Sequence, residues 1–164
     1  MSNILIHRAC PLWPTIDKAI RRAVRATLAD SGPAKKGELG ILLTDDAEIR
    51  RLNHHYRHRD QATNVLSFAM EEGEKGPKRG KKDRLLGDVV LAYETVAQEA
   101  QAYHIPLERH VIHLVVHGVL HLLGYDHARS PAEARRQETR EVAILADLGL
   151  SNPYWLPAEP ENTL

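Results

Sequence analysis

The apolar run from Val111 to Leu123 limits the fold of this chain more than any other segment. Pro106 stands ahead of it and Gly124 directly behind it, residues that open and close helices. A helix so apolar on most of its circumference has to be buried, so the remaining chain must wrap around it. It is too short for a membrane span, and His113, His117 and His121 interrupt it.

Those histidines set the chemistry. Positions 117 and 121 are four apart, so both imidazoles lie on one helix face, one turn from each other. Two such rings can reach one zinc ion at about 2.0–2.1 Å without distorting the helix. A third ligand one turn further on would be carried past the ion. Gly124 can adopt a left-handed conformation and turn the chain back, which returns His127 to the same ion. Three histidines leave an open coordination position, the mark of a catalytic rather than a structural zinc site. One Zn2+ per chain is the expectation. The spacing H-x3-H-x2-G-x2-H matches the extended zincin pattern, but zincins carry a glutamate base directly after the first histidine. Gly118 stands there, which argues against peptide hydrolysis by that route. His113 is either a neighbour supporting the ligands or a satisfied core group, and His110 reads as core. Asp126 either orients an imidazole, the reading preferred here, or stabilises the turn after Gly124.

The rest of the chain supplies a domain around this helix. Strands are expected at 4–7, 38–44, 65–70 and 86–93, and helices at 15–29, from Asp45 or Asp46 to about 54, 94–103, 106–123 and 131–148. This mixed order predicts an α+β fold, with a small mixed four-stranded sheet packed by about five helices and the metal site on the central apolar helix and the turn after it. Residues 1–154 are expected to form one domain and 155–164 a tail. The single cysteine, Cys10, excludes an internal disulfide and a thiolate-rich metal site. With no signal-like segment at the N-terminus, a cytoplasmic location is expected.

Net charge is zero but uneven. Residues 1–130 hold 19 Lys/Arg against 16 Asp/Glu, and residues 131–164 hold 3 against 6. The loop KGPKRGKKDR (75–84) and the trio Arg21, Arg22 and Arg25 can attract phosphate groups, or are simply solvated surface. For stacking, Tyr56, Phe68 and Tyr93 are the aromatic candidates near the cleft.

A second cluster lies upstream. Arg57 follows a helical segment, where a guanidinium can grip a phosphate or simply neutralise the helix C-terminus. Asn64 and Ser67 are small polar groups at the start of an apolar strand and within it. With LNHHYR, TNVLSF, LLGDVVLA, VVHGVLHLLGYDH and ILADLGLSNPY in this order, the chain resembles the YbeY family of metal-dependent endoribonucleases. The resemblance spans roughly residues 40–154 and departs from the family at Ala69, commonly proline, and at Gln137, frequently methionine.

The resemblance implies a zinc ion held by His117, His121 and His127, and an arginine needed for activity at Arg57. It also implies action on single-stranded RNA in maturation of small-subunit ribosomal RNA and in ribosome quality control. On this reading His117 and Arg57 carry catalysis, and His113, Asp126, Asn64 and Ser67 support the ligands or bind substrate. The ion polarises a phosphoryl oxygen or supplies hydroxide, Arg57 stabilises the phosphorane, and either water or the substrate 2′-OH attacks. A small-subunit ribosomal protein and a ribosome-assembly GTPase are candidate partners; neither a membrane nor DNA is expected. Two rivals stand beside it: a ribosome-assembly factor with a zinc site but without strong catalysis, and a metallohydrolase of another ester or amide.

Overall fold

The segments ELGILLT and LLGDVVLA are apolar at successive positions rather than alternate ones, the pattern of strands covered on both faces. They form the centre of a four-stranded sheet. The computed structural model describes residues 3–31, 37–70 and 85–155. Within them the strands are β1 (Asn3–Arg8), β2 (Glu38–Thr44), β3 (Val65–Ala69) and β4 (Leu85–Ala92). Their spatial order is β1-β2-β4-β3. The β1–β2 and β2–β4 pairs are parallel, and β3 runs antiparallel to β4 with Ser67 opposite Val89.

Five helices accompany the sheet among the described residues: α1 (Asp17–Asp30), α2 (Asp46–Arg57), α3 (Tyr93–Ala102), α4 (Leu107–Leu122) and α5 (Pro131–Asp147). The expected α+β architecture is therefore the observed one. The main core joins Leu39, Ile41, Leu43, Val89 and Leu91 of the sheet to Ile20 and Val24 of α1 and to Val115, Val119 and Leu120 of α4. On the opposite face a smaller cluster of Ile49, Val90 and Ala92 takes in Leu66 and Phe68 and seats α2. Consequently α4 is enclosed by β3, β4, α1, α3 and α5, as its composition demands.

Local signals explain the ends of these elements. Asp45 caps α2, its carboxylate accepting from the Glu48 N–H at 2.9 Å. Ser130 caps α5 in the same way at 3.1 Å, and Pro131 occupies its first position. Beyond α5, Pro153–Trp155 form a 3-10 turn, and Tyr154 packs back on the domain. The basic loop 75–84 and residues 156–164 lie outside the described residues.

Candidate metal centre

Two ligand candidates come from the last turns of α4 and one from the chain that follows. At the helix end, Gly124 has φ +107°, and its N–H donates to the His121 carbonyl at 3.0 Å. The Tyr125 N–H reaches the Leu120 carbonyl at 3.1 Å. These paired bonds, 5→2 and 6→1, are a Schellman motif, which reverses the chain at a glycine. The reversal brings His127 back over α4.

Nitrogen atoms of His117, His121 and His127 consequently lie within 4.8 Å of one another. The closest approach is His121 Nε2 to His127 Nδ1 at 2.8 Å. Ligand atoms on a tetrahedral zinc ion stand about 3.3 Å apart, so small ring rotations suffice to admit one ion. His121 is also in the right protonation state. Burial, then the neighbouring His117 and His127, lowers its pKa to about 4, so the ring is neutral near pH 7 and its lone pair is available. In donor type, spacing and charge, the three residues fit a divalent transition-metal ion.

The sequence did not single out Glu141 of α5, yet it lies at the heart of the site. Its side chain is fully buried, and its Oε2 accepts from His117 Nδ1–H at 2.7 Å. Its Oε1 accepts from His113 Nε2–H at 2.9 Å and from the Tyr154 hydroxyl at 2.5 Å. Burial alone would raise this carboxyl's pKa, but the hydrogen bonds from His113, His117 and Tyr154 outweigh it and hold the value at about 2. Gln137, one turn earlier on α5, donates from Nε2 to the His117 carbonyl at 3.3 Å. Its Oε1 has no hydrogen-bond partner among the described residues. A signal for both residues exists in the sequence: positions 137, 141, 144 and 145 share one helix face, and Ile144 and Leu145 are core.

The other candidates divide. Arg57 ends α2, donates to the Ser67 carbonyl at 2.6 Å, and holds its guanidinium over the Phe68 ring at 5.2 Å. Its charge is among the influences that lower the His121 pKa, so the two groups share one electrostatic neighbourhood. Ser67 Oγ donates to the Gly118 carbonyl at 3.0 Å, which joins β3, the strand that Arg57 grips, to the helix carrying the ligands. Asn64 sits elsewhere. Its amide donates to Glu99 at 2.9 Å, and Glu99 also bonds His110 at 2.8 Å. Asn64 and His113 line a cleft of about 340 Å³ that none of the three ligands touches. The Asp126 carboxylate accepts from the Ala128 N–H at 3.0 Å, which braces the turn, and among the described residues no hydrogen bond joins it to an imidazole.

Two further expectations are narrowed. Tyr93 packs edge-on against Trp13 beside the core, centroids 5.3 Å apart, and is only partly exposed. Arg21 is half-buried and donates to the Ile4 carbonyl at 2.7 Å, which leaves Arg22 and Arg25 as the exposed members of that trio.

Comparison with known proteins agrees with this geometry. Residues 11–149 match the family described as endoribonuclease YbeY. The chain belongs to the endoribonuclease YbeY family. A relative of that name from Magnetococcus marinus is 54% identical over 121 residues, 71% of this chain and 82% of the relative. One from Bradyrhizobium diazoefficiens is 41% identical over 158 residues, 94% and 85% of the respective chains. The solution structure of a Thermotoga maritima protein, 20% identical, superposes with a TM-score of 0.56 over 91% of this chain and 92% of its own, a likeness of fold.

Proposed function

We propose that this YbeY-family chain is a zinc-dependent endoribonuclease that cuts single-stranded RNA and matures small-subunit ribosomal RNA. The observation that carries the reading is the convergence of His117, His121 and His127, with Arg57 hydrogen-bonded to the strand that packs beside them. The three imidazoles would hold the ion. When bound, it supplies Lewis acidity at the phosphodiester and eases ionisation of water near neutral pH.

The protein's own groups do the rest. The Ser67 carbonyl and the Phe68 ring fix Arg57 on one side, and its remaining N–H groups, which have no hydrogen-bond partner among the described residues, can meet a phosphoryl oxygen. There they stabilise the negative charge that grows on phosphorus during attack. His117 is oriented for its ligand role by the carboxylate behind it. No side-chain base occupies position 118, because a Cβ there would stand 2.8 Å from Val89 Cγ1, against the sheet. A zincin-like peptidase mechanism therefore has no base at its usual place, and the proton acceptor for water or the substrate 2′-OH comes from another source.

Zinc-loaded protein should cleave single-stranded RNA, and a chelator should abolish cleavage. Arg57→Ala should lose at least about 100-fold in rate while retaining one ion per chain. Binding of RNA without cleavage by freshly loaded wild type would overturn the nuclease reading in favour of an assembly factor. Recruitment by a small-subunit ribosomal protein or an assembly GTPase belongs to the same reading and is tested by co-purification with small-subunit particles.

A further inference from the structure

Among the described residues, the Glu141 carboxylate is the most enclosed acidic group, and its three hydrogen-bond partners there are all donors. A buried anion is costly unless its lone pairs are used. Here Oε2 takes the proton of His117 Nδ1, and Oε1 takes those of His113 Nε2 and the Tyr154 hydroxyl. That arrangement has a consequence for His117. With Nδ1 donating to Glu141, the neutral ring must carry its lone pair on Nε2.

From this geometry we infer that Glu141 is a positioning residue for the metal centre, fixing His117 in the Nδ1–H tautomer and placing a compensating negative charge one imidazole away from the ion. The inference rests on the metal reading of His117, His121 and His127. Three elements meet at this one carboxylate: α4 through His113 and His117, α5 through Glu141 itself, and the segment after α5 through Tyr154. A carboxylate bonded to a ligand imidazole increases the ring's basicity and fixes its direction, and removing such a partner commonly weakens metal affinity 10- to 100-fold. The hydrogen bonds from His113 and Tyr154 also occupy Oε1 and hold the carboxylate in its orientation toward His117. The segment after α5 is thereby coupled to the ion, although Tyr154 touches no ligand.

The test is zinc affinity, measured by competition with a chromophoric chelator, on wild type, Glu141→Gln, Glu141→Leu and Tyr154→Phe. Gln retains an acceptor for the His117 proton but lacks the charge; Leu retains neither. The expected order of loss is Leu greater than Gln, with at least a 10-fold weakening for Leu, and a smaller loss for Tyr154→Phe. Long-range proton–nitrogen NMR of the imidazoles gives a second readout: His117 should be in the Nδ1–H form in wild type, with that proton shifted upfield in Glu141→Gln. Failure of wild type to bind zinc would remove the metal reading and this inference with it. Wild-type zinc affinity in folded Glu141→Gln and Glu141→Leu would overturn the inference alone. If the Leu variant does not fold, Glu141→Gln and Tyr154→Phe decide it by the same measure.

Discussion

Gly118 shows how one residue can be read correctly for the wrong reason. From the sequence its importance was the missing zincin glutamate; in the fold its importance is space. A Cβ at 118 would meet Val89 Cγ1 at 2.8 Å and Ser67 Oγ at 3.0 Å, both on strands packed against α4. Gly118→Ala should gain up to about 1 kcal/mol in helix propensity and lose about 1–3 kcal/mol to overpacking. The expected net effect is destabilisation, read as a lower urea midpoint at unchanged slope. A raised midpoint would mean that α4 can lift from the sheet at no cost. The ligands make a separate prediction. His121→Ala should bring zinc stoichiometry well below one per chain by elemental analysis, whereas one full ion in that variant would remove His121 from the ligand set. The three ligands were legible because a helix and one glycine turn fix their geometry locally. Glu141 was less so: its spacing to Ile144 and Leu145 puts it on the core face of α5, but nothing in a carboxylate flanked by partly exposed Arg140 and Val142 tells which groups it will bond.

At the scale of elements, α5 is the least legible helix. Its composition suggests a solvated amphipathic surface, yet Gln137 and Glu141 occupy the same buried face as Ile144 and Leu145. Together with His121 of α4, that face gives the metal-free protein a characteristic acid response. His121 has a folded pKa of about 4, below the ordinary value near 6.5. The folded state thus binds fewer protons than the unfolded one between those values, and stability falls as pH drops from about 6.5 towards 4. Glu141 adds a second limb. Its folded pKa of about 2 lies below the usual carboxylate value, so its contribution is complete above about pH 4.5 and lost as pH falls towards 2. For so buried a group the shift corresponds to roughly 3 kcal/mol. Thermal midpoints of the metal-free protein should therefore fall in both windows, with the lower limb much reduced in Glu141→Gln. A flat profile between pH 7 and 4.5 would contradict the His121 assignment. The strands were easier to locate than to order, since placing β4 between β2 and β3 depends on pairings between distant segments.

For the molecule as a whole, all three ligands fall between residues 117 and 127, so the ion closes only a short stretch of chain. The main core of sheet, α1 and α4 does not include it. Chelation should accordingly leave the far-UV circular dichroism near that of the loaded protein while lowering the thermal midpoint. Collapse of helical signal on chelation would show instead that the ion organises the domain. Sheet topology has a different consequence. Strand β3 is an edge of the sheet among the described residues, and an edge offers unused backbone groups to any passing strand. Arg57 occupies the Ser67 carbonyl and lays a charge across Phe68, which is how sheet proteins discourage self-association. The cation assigned to the phosphate thus also serves as a gatekeeper, and Arg57→Ala should form oligomers more readily than wild type at high concentration, visible by light scattering.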